Sequence, residues 1–96
     1  MSVIEVTTFR LADSDAEAAF LAADRAVQAA SAPRKGFLRR TTAKGESGTW
    51  LVLSLWASAT DADASAATPF EEAASRSFPT LVEATSSETQ RFRTLD

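Results

Sequence analysis

The segment Thr49–Ala57 constrains the fold more than any other, because its pattern predicts a β-strand that is apolar on both faces. One face carries Leu51, Leu53, Leu55 and Ala57, and the other carries Trp50, Val52, Ser54 and Trp56. A strand of this kind is normally central in its sheet and covered on both sides. The sequence therefore predicts a layered fold with this strand near the middle of a sheet.

Three further strands are predicted from alternation of apolar and polar residues and from the turn residues that bound them. They cover Val3–Leu11, Gly36–Ala43 and Thr89–Leu95. The intervening segment Lys44–Gly48 contains two glycines, which favours a turn that joins the second strand to the central one. The turn alone does not fix the register of this hairpin.

A helix is predicted over Asp13–Ser31, where apolar residues recur at helical spacing. The stripe is formed by Ala16, Phe20, Ala23, Val27 and Ala30. Two starts compete, because Ser14 and Glu17 have the spacing of a capping box while Asp13 is also a suitable N-cap.

The second helical region is interrupted. Thr60 with Asp63 offers one helix start, and Thr68–Glu71 offers a better one, with Thr as N-cap, Pro at the first position and Glu three residues on. Pro79 lies inside the apolar stripe that follows and is expected to kink or restart the helix near Phe78.

The predicted order is therefore β-α-β-β-α-β within one domain that covers residues 1–96. Two helices of this size can cover one face of a four-stranded antiparallel sheet. The arrangement that places the first and third strands in the centre is the ferredoxin-like α+β plait. It puts the two most apolar strands in the middle.

Composition excludes several kinds of chemistry. The 96-residue chain contains no cysteine and no histidine, so disulfides, zinc fingers, thiol nucleophiles and imidazole bases are absent, and we expect no metal and no cofactor. A net charge of −3 argues against nucleic-acid binding by charge alone. With no long apolar run and no signal-peptide pattern at the start, the expectation is a cytoplasmic protein without membrane contact.

We expect one face of the sheet to be left uncovered by the helices and to be covered by a second protein chain. We expect the leucine face of Thr49–Ala57 to meet the helices, which leaves Trp50 and Trp56 exposed, with Glu5 and Phe9 beside them. Such a patch is too apolar for a monomer, so a homodimer through this face is predicted. The tryptophans then either border a ligand pocket or simply fill the interface.

Three segments resemble the dimeric α/β-barrel superfamily, and within it the small proteins that are similar to antibiotic biosynthesis monooxygenases. They are the first strand and helix from Val3 to Leu21, the segment Gly36–Arg40, and Trp50–Ser58 with the stretch Ser65–Phe70. The resemblance implies a homodimeric barrel, with a ligand cleft between sheet and helices in each subunit. It also implies that Trp56, at the end of the third strand, lines that cleft.

The resemblance also shows what this chain lacks. Relatives often carry histidine near the positions of Leu55 and Ser65 and after the Thr68-Pro69 pair, and this chain has none. The haem-degrading members need an axial histidine, so haem chemistry is not expected. The first hypothesis is therefore a protein that binds a small aromatic molecule without a demonstrated reaction.

Two other hypotheses remain open. One is a cofactor-independent monooxygenase of a phenolic or polycyclic substrate, whose anion reacts directly with oxygen. Glu5 would be its base, and Trp56 and Phe9 would hold the ring. Arg39 or Arg40, whichever the register turns inward, would stabilise the anion, and Ser54 shares the tryptophan face. The other hypothesis is a purely structural homodimer or accessory subunit, whose cleft is filled by side chains.

Overall fold

The computed structural model describes residues 1–95, and its strands and helices follow the predicted order. The strands are β1 (Val3–Arg10), β2 (Phe37–Lys44), β3 (Thr49–Trp56) and β4 (Glu88–Arg93). The helices are α1 (Glu17–Ser31), α2 (Ala59–Ala66), α3 (Ala73–Arg76) and α4 (Phe78–Leu81), with 3₁₀ turns at Ser14–Ala16 and Ala84–Ser86.

The four strands form one antiparallel sheet in the order β2-β3-β1-β4. β1 and β3 are the two central strands, so the ferredoxin-like plait predicted from the sequence is confirmed. The β1–β3 register is continuous and pairs Val3 with Trp56 and Phe9 with Trp50. These pairs place the aromatic residues of both central strands on the same face of the sheet.

Asp13 caps the first helical segment. Its carboxylate accepts the backbone N–H of Asp15 at 2.9 Å and opens the 3₁₀ turn that leads into α1. Of the two candidate starts, the one that uses the Asp13 side chain is therefore found. Along α1, the buried residues Phe20, Ala23 and Val27 confirm the predicted stripe.

The second helical region starts earlier than expected. Ser58 caps α2 by accepting the N–H of Asp61 at 3.1 Å. The predicted helix start at Thr68 is wrong, because the Thr68 hydroxyl donates to the carbonyl of Ala64 at 2.8 Å and so belongs to the end of α2. The expected interruption before Pro79 is confirmed, since α3 and α4 are separate helices on either side of Ser77.

The predicted orientation of the sheet is wrong. Trp50 and Trp56 do not lie on the bare face; they are 5% and 6% exposed and pack against the helices. The Phe20 ring of α1 lies 4.8 Å from Trp50, and Ala62 of α2 belongs to the same buried cluster as Trp56. The homodimer interface that we predicted through the tryptophan face therefore cannot form there.

The physical reason lies in the composition of the helices. Their buried positions include Ala23 and Ala62, which contribute little volume. Protein interiors are close-packed, so the largest side chains of the sheet must face the small ones of the helices. Phe9, Phe20 and Trp50 fill that space as one aromatic cluster.

The opposite side of the sheet is not covered by the helices and is called the open face here. Its half-buried apolar residues are Ile4, Val6, Leu51, Leu53 and Leu55. Leu38 and Phe92 at its margins are about half exposed. Apolar surface that is left uncovered in this way is typical of protein–protein interfaces.

Candidate functional site

The register of the β2–β3 hairpin decides which arginine enters the cleft between sheet and helices. Arg40 pairs with Ser54, and Arg39 pairs with Leu55. A register shift between Phe37 and Arg39 allows Phe37 and Arg40 to share the tryptophan face. Arg40 therefore points towards the helices, and Arg39 lies on the open face.

Four of the five predicted site residues border one cavity of about 300 Å³. They are Glu5, Arg40, Ser54 and Trp56. Glu5 and Ser54 are direct cross-strand partners, and Arg40 pairs with Ser54 from the other side. Three neighbouring strands thus bring a carboxylate, a hydroxyl and a guanidinium into one row. The cavity that these groups border is called the polar cavity below.

Phe9, the fifth predicted residue, borders a different space. It lies with Thr7, Val52 and Phe78 around a cavity of about 320 Å³, to which Pro79 and Val82 also contribute. This space is called the apolar cavity. Phe9 is 2% exposed and its ring lies 6.1 Å from that of Phe78, so Phe9 is mainly a core residue with one edge on the cavity.

Trp56 is both a core residue and a wall of the polar cavity. Its ring meets that of Phe37 edge to face, with 5.5 Å between centroids. Val3 and Ala62 complete the cluster around it. The indole is therefore held rigidly, as a wall that orients a planar ligand requires.

The carboxylate of Glu5 is held by an ion pair. Arg91 of β4 donates to Glu5 Oε2 from Nη2 at 2.9 Å and from Nε at 3.3 Å. The same guanidinium donates to Asp63 Oδ1 at 2.7 Å. Hydrogen bonds to Asp63 and to Glu5 raise the pKa of Arg91 above its usual value. Both bonds to Glu5 use Oε2, so Oε1 is the oxygen available to a ligand.

Arg40 is held from the helix side by Asp24 of α1. The Arg40 Nη2 atom lies 2.9 Å from Asp24 Oδ1, and the two side chains are 5% and 14% exposed. Thr42 donates its hydroxyl to the same carboxylate oxygen at 2.8 Å. The guanidinium carbon also lies 5.6 Å from the centre of the Phe78 ring. The position of Arg40 is thus fixed by contacts on two sides.

Sequence reasoning missed Asp24 and Arg34. Asp24 lies four residues after Phe20 and three before Val27, and this spacing from two buried residues was the signal that could have placed it beside the sheet. Arg34, in the loop after α1, carries no comparable signal. It donates to the Ser65 carbonyl at 2.7 Å and to the Ser65 hydroxyl at 2.8 Å.

Arg34 also ties the segment that follows α2 to the border of the polar cavity. Its Nη2 atom donates to the carbonyl of Thr68 at 2.8 Å, and its guanidinium lies 4.1 Å from the centre of the Phe70 ring. Because carbonyls at a helix C-terminus carry partial negative charge, a cation is stabilised there. Arg34 and Phe70 thus form the outer wall of the cavity.

The arrangement suits binding of a small planar molecule. The polar cavity offers an indole wall, a hydroxyl and two guanidinium groups, a set that matches an aromatic ring with an acidic or carbonyl oxygen. Within residues 1–95, no three acidic side chains come together as a metal site would require. No helix in the same range is long and apolar enough to cross a membrane.

A scan against protein-family models finds no match, and a search of curated proteins finds none at a significant level. Solved structures do match. SnoaB from Streptomyces nogalater, described as a cofactor-independent oxygenase, is 20% identical, with a TM-score of 0.82 over 99% of this chain and 94% of that one. Rv0793 from Mycobacterium tuberculosis is 15% identical, with a TM-score of 0.79 over 100% of this chain and 97% of that one.

A third structure, from Caulobacter crescentus, carries the provisional name antibiotic biosynthesis monooxygenase. It is 20% identical, with a TM-score of 0.81 over 99% of this chain and 91% of that one. At these identities the likeness concerns the fold and not the reaction. The chain therefore has the fold of the proteins similar to antibiotic biosynthesis monooxygenases, as its sequence indicated.

Proposed function

We propose that this protein binds a small aromatic molecule in the polar cavity between sheet and helices. The observation that carries the proposal is the convergence of Glu5, Ser54, Arg40 and Trp56 on that single cavity. Three of them supply polar groups in one row of the sheet, and the fourth supplies a rigid ring. A mostly apolar cleft with a few convergent polar groups is the usual form of a ligand site.

The test compares the two tryptophans. Trp56→Phe removes part of the indole that borders the polar cavity, whereas Trp50→Phe makes the same change in the core at the other end of the strand. By calorimetry with naphthol as the probe, we expect Trp56→Phe to weaken binding by about two- to tenfold, the range of one aromatic contact. Trp50→Phe should leave the affinity unchanged.

Equal weakening by both substitutions would show that general loosening of the core, and not contact with the ligand, governs binding. If the wild-type protein binds no phenol or naphthol at all, the third hypothesis, a purely structural homodimer or accessory subunit, replaces the proposal.

A cofactor-independent monooxygenase of phenolic substrates is the second candidate. The oxygenase SnoaB shares the fold, and Glu5 lies in the same cavity as Trp56. In this candidate, Glu5 or a water that it orients takes the proton of a phenol, and Arg40 stabilises the anion that reacts with oxygen. The ion pair with Arg91 leaves only Oε1 for that role.

Oxygen uptake with a bound phenol tests this candidate. Glu5→Gln keeps the size of the side chain and removes the base, so we expect uptake to fall by about a hundredfold or more. Glu46→Gln, in the exposed turn between β2 and β3, is the matched control and should have no effect. A protein that binds the phenol tightly but consumes no oxygen would remove the oxygenase candidate and keep the binding proposal.

We further propose that two copies associate through the open face, and not through the tryptophan face. This surface carries the leucines of β3 and the apolar residues Ile4 and Val6 of β1, which none of the helices described between residues 1 and 95 covers. Packing of one sheet against another would bury both copies of this surface at once. The ligand cavities then lie on the outer side of each sheet, under the helices.

A further inference from the structure

We propose that Arg40 is the specificity-determining residue of the cleft, because it divides the cleft into two compartments and so limits the ligand to one or two rings. The inference rests on the proposed ligand-binding function. Its starting point is that, among residues 1–95, the polar and apolar cavities share a single lining residue, Arg40.

The two cavities lie end to end along the same face of the central strands. The polar cavity is floored by the cross-strand pair Glu5 and Ser54, and the apolar cavity by the next pair on that face, Thr7 and Val52. Successive pairs on one face of a sheet are about 7 Å apart. Without an obstacle, the two spaces would therefore be continuous.

Arg40 is that obstacle. Its backbone lies level with Ser54, in the row of the polar cavity, while its guanidinium extends to within 5.6 Å of the Phe78 ring, in the wall of the apolar cavity. The side chain thus runs across the boundary between the two spaces. With an exposure of 5%, it is enclosed on all sides and is not free to swing into solvent.

Asp24 is the positioning residue that keeps Arg40 across the cleft. Its carboxylate binds Arg40 at 2.9 Å and is itself held by the Thr42 hydroxyl at 2.8 Å. A ligand that displaced Arg40 would take the compensating cation away from the buried Asp24 carboxylate and leave it with the neutral Thr42 hydroxyl, which is strongly unfavourable. Arg40 therefore resists displacement, and a ligand must fit on one side of it.

The length of a ligand, more than its volume, defines the ligand class. Each cavity measures about 300 Å³, at the lower end of the range for small-molecule sites. A one- or two-ring phenol fits within the polar cavity, with its oxygen towards Arg40. A fused three-ring system that lies along the strands is longer than the step of about 7 Å between successive pairs on one face, so it would have to cross into the apolar cavity.

The test measures ligand size preference by calorimetry with three probes, phenol, naphthol and dihydroxyanthraquinone. Arg40→Ala combined with Asp24→Asn removes the partition without leaving a buried unpaired charge. Arg39→Ala, the same change one residue earlier on the open face, is the matched control. Circular dichroism and thermal unfolding establish that each variant is folded.

We expect the wild-type protein and the Arg39 variant to bind naphthol at least about tenfold more tightly than dihydroxyanthraquinone, a difference of about 1.4 kcal/mol. The double variant should reverse that order. Similar wild-type affinities for both probes would overturn the inference even if the variant failed to fold, and so would an unchanged preference in a folded double variant. Failure of the wild-type protein to bind any of the three probes would instead overturn the proposed function itself.

Discussion

At the scale of single residues, Gly36 combines two constraints on its side chain. Its φ of +78° lies in the left-handed region that favours glycine. A Cβ atom at this position would also lie 2.5 Å from Asp61 Cβ in the first turn of α2. Gly48 has nearly the same φ, +77°, but a Cβ atom there would meet only the end of the Arg10 side chain at 3.3 Å. A comparison of alanine substitutions at the two glycines therefore separates the cost of backbone strain from the cost of steric overlap.

Gly48→Ala should destabilise the protein by about 1 kcal/mol, from backbone strain alone. Gly36→Ala should cost more, about 2 to 4 kcal/mol, because α2 must also shift away from the new methyl group. Urea unfolding of both variants measures the difference. Equal losses of unfolding free energy would contradict the close approach of α2 to the turn before β2.

The residues of the site were predictable to different extents. Trp56 and Ser54 were accessible from alternation in one strand, and their shared face needed no tertiary information. The choice between Arg39 and Arg40 was not accessible, because it depends on the register of the β2–β3 hairpin, which pairs Lys44 with Trp50 and which the turn sequence does not fix. Asp24, the partner of Arg40, also accepts a hydrogen bond from Thr42, which is eighteen residues away along the chain. These side chains meet only in the folded state.

At the scale of elements, the start of the first helical segment gives a direct test of capping. The Asp13 carboxylate accepts the N–H of Asp15, whereas Ser14 lies within the 3₁₀ turn that follows. Asp13→Ala should therefore cost about 1 kcal/mol of unfolding free energy, the usual value of an N-cap. Ser14→Ala is the control and should cost a few tenths at most, as measured by thermal or urea unfolding. A larger loss at Ser14 would show that the capping box is formed in solution.

The order of the strands could be predicted from the sequence, but the helix boundaries in the second helical region could not. Residues Thr68 to Glu71 satisfy every local rule for a helix start, yet the chain does not become helical until Ala73. Arg34 accounts for the difference, because it binds the carbonyls of Ser65 and Thr68 and holds this segment as a wall of the cavity. Tertiary hydrogen bonds here outweigh local preference.

At the scale of the whole molecule, the open face makes a prediction about assembly. Leu53 lies at its centre and pairs with Val6 on one side and Thr41 on the other. Leu53→Glu would place a charge in a sheet-to-sheet interface, so we expect the wild-type protein to sediment as a dimer at micromolar concentration and the variant as a monomer. Ala29→Glu, on the exposed side of α1, is the control and should remain dimeric.

A wild-type protein that sediments as a monomer would contradict the proposed association.

The assignment of faces is another part of the overall fold that sequence reasoning got wrong, and for a clear reason. Both faces of β3 are apolar, so alternation predicts two covered surfaces but not which one the helices cover. That choice depends on the volume that the helices supply, and alanine-rich helices need the tryptophans beneath them.

The alternation along β3 has a consequence for how the sequence of this protein can evolve. In Thr49–Trp56, successive side chains alternate between the cleft side of the sheet and the proposed interface. Residues of the two surfaces therefore alternate along the sequence. Substitutions can alter ligand preference and self-association independently. A single-residue insertion or deletion would exchange the two sets at once, exposing indoles and burying leucines under the helices. We therefore expect natural variants of this strand to differ in residue type while keeping its length.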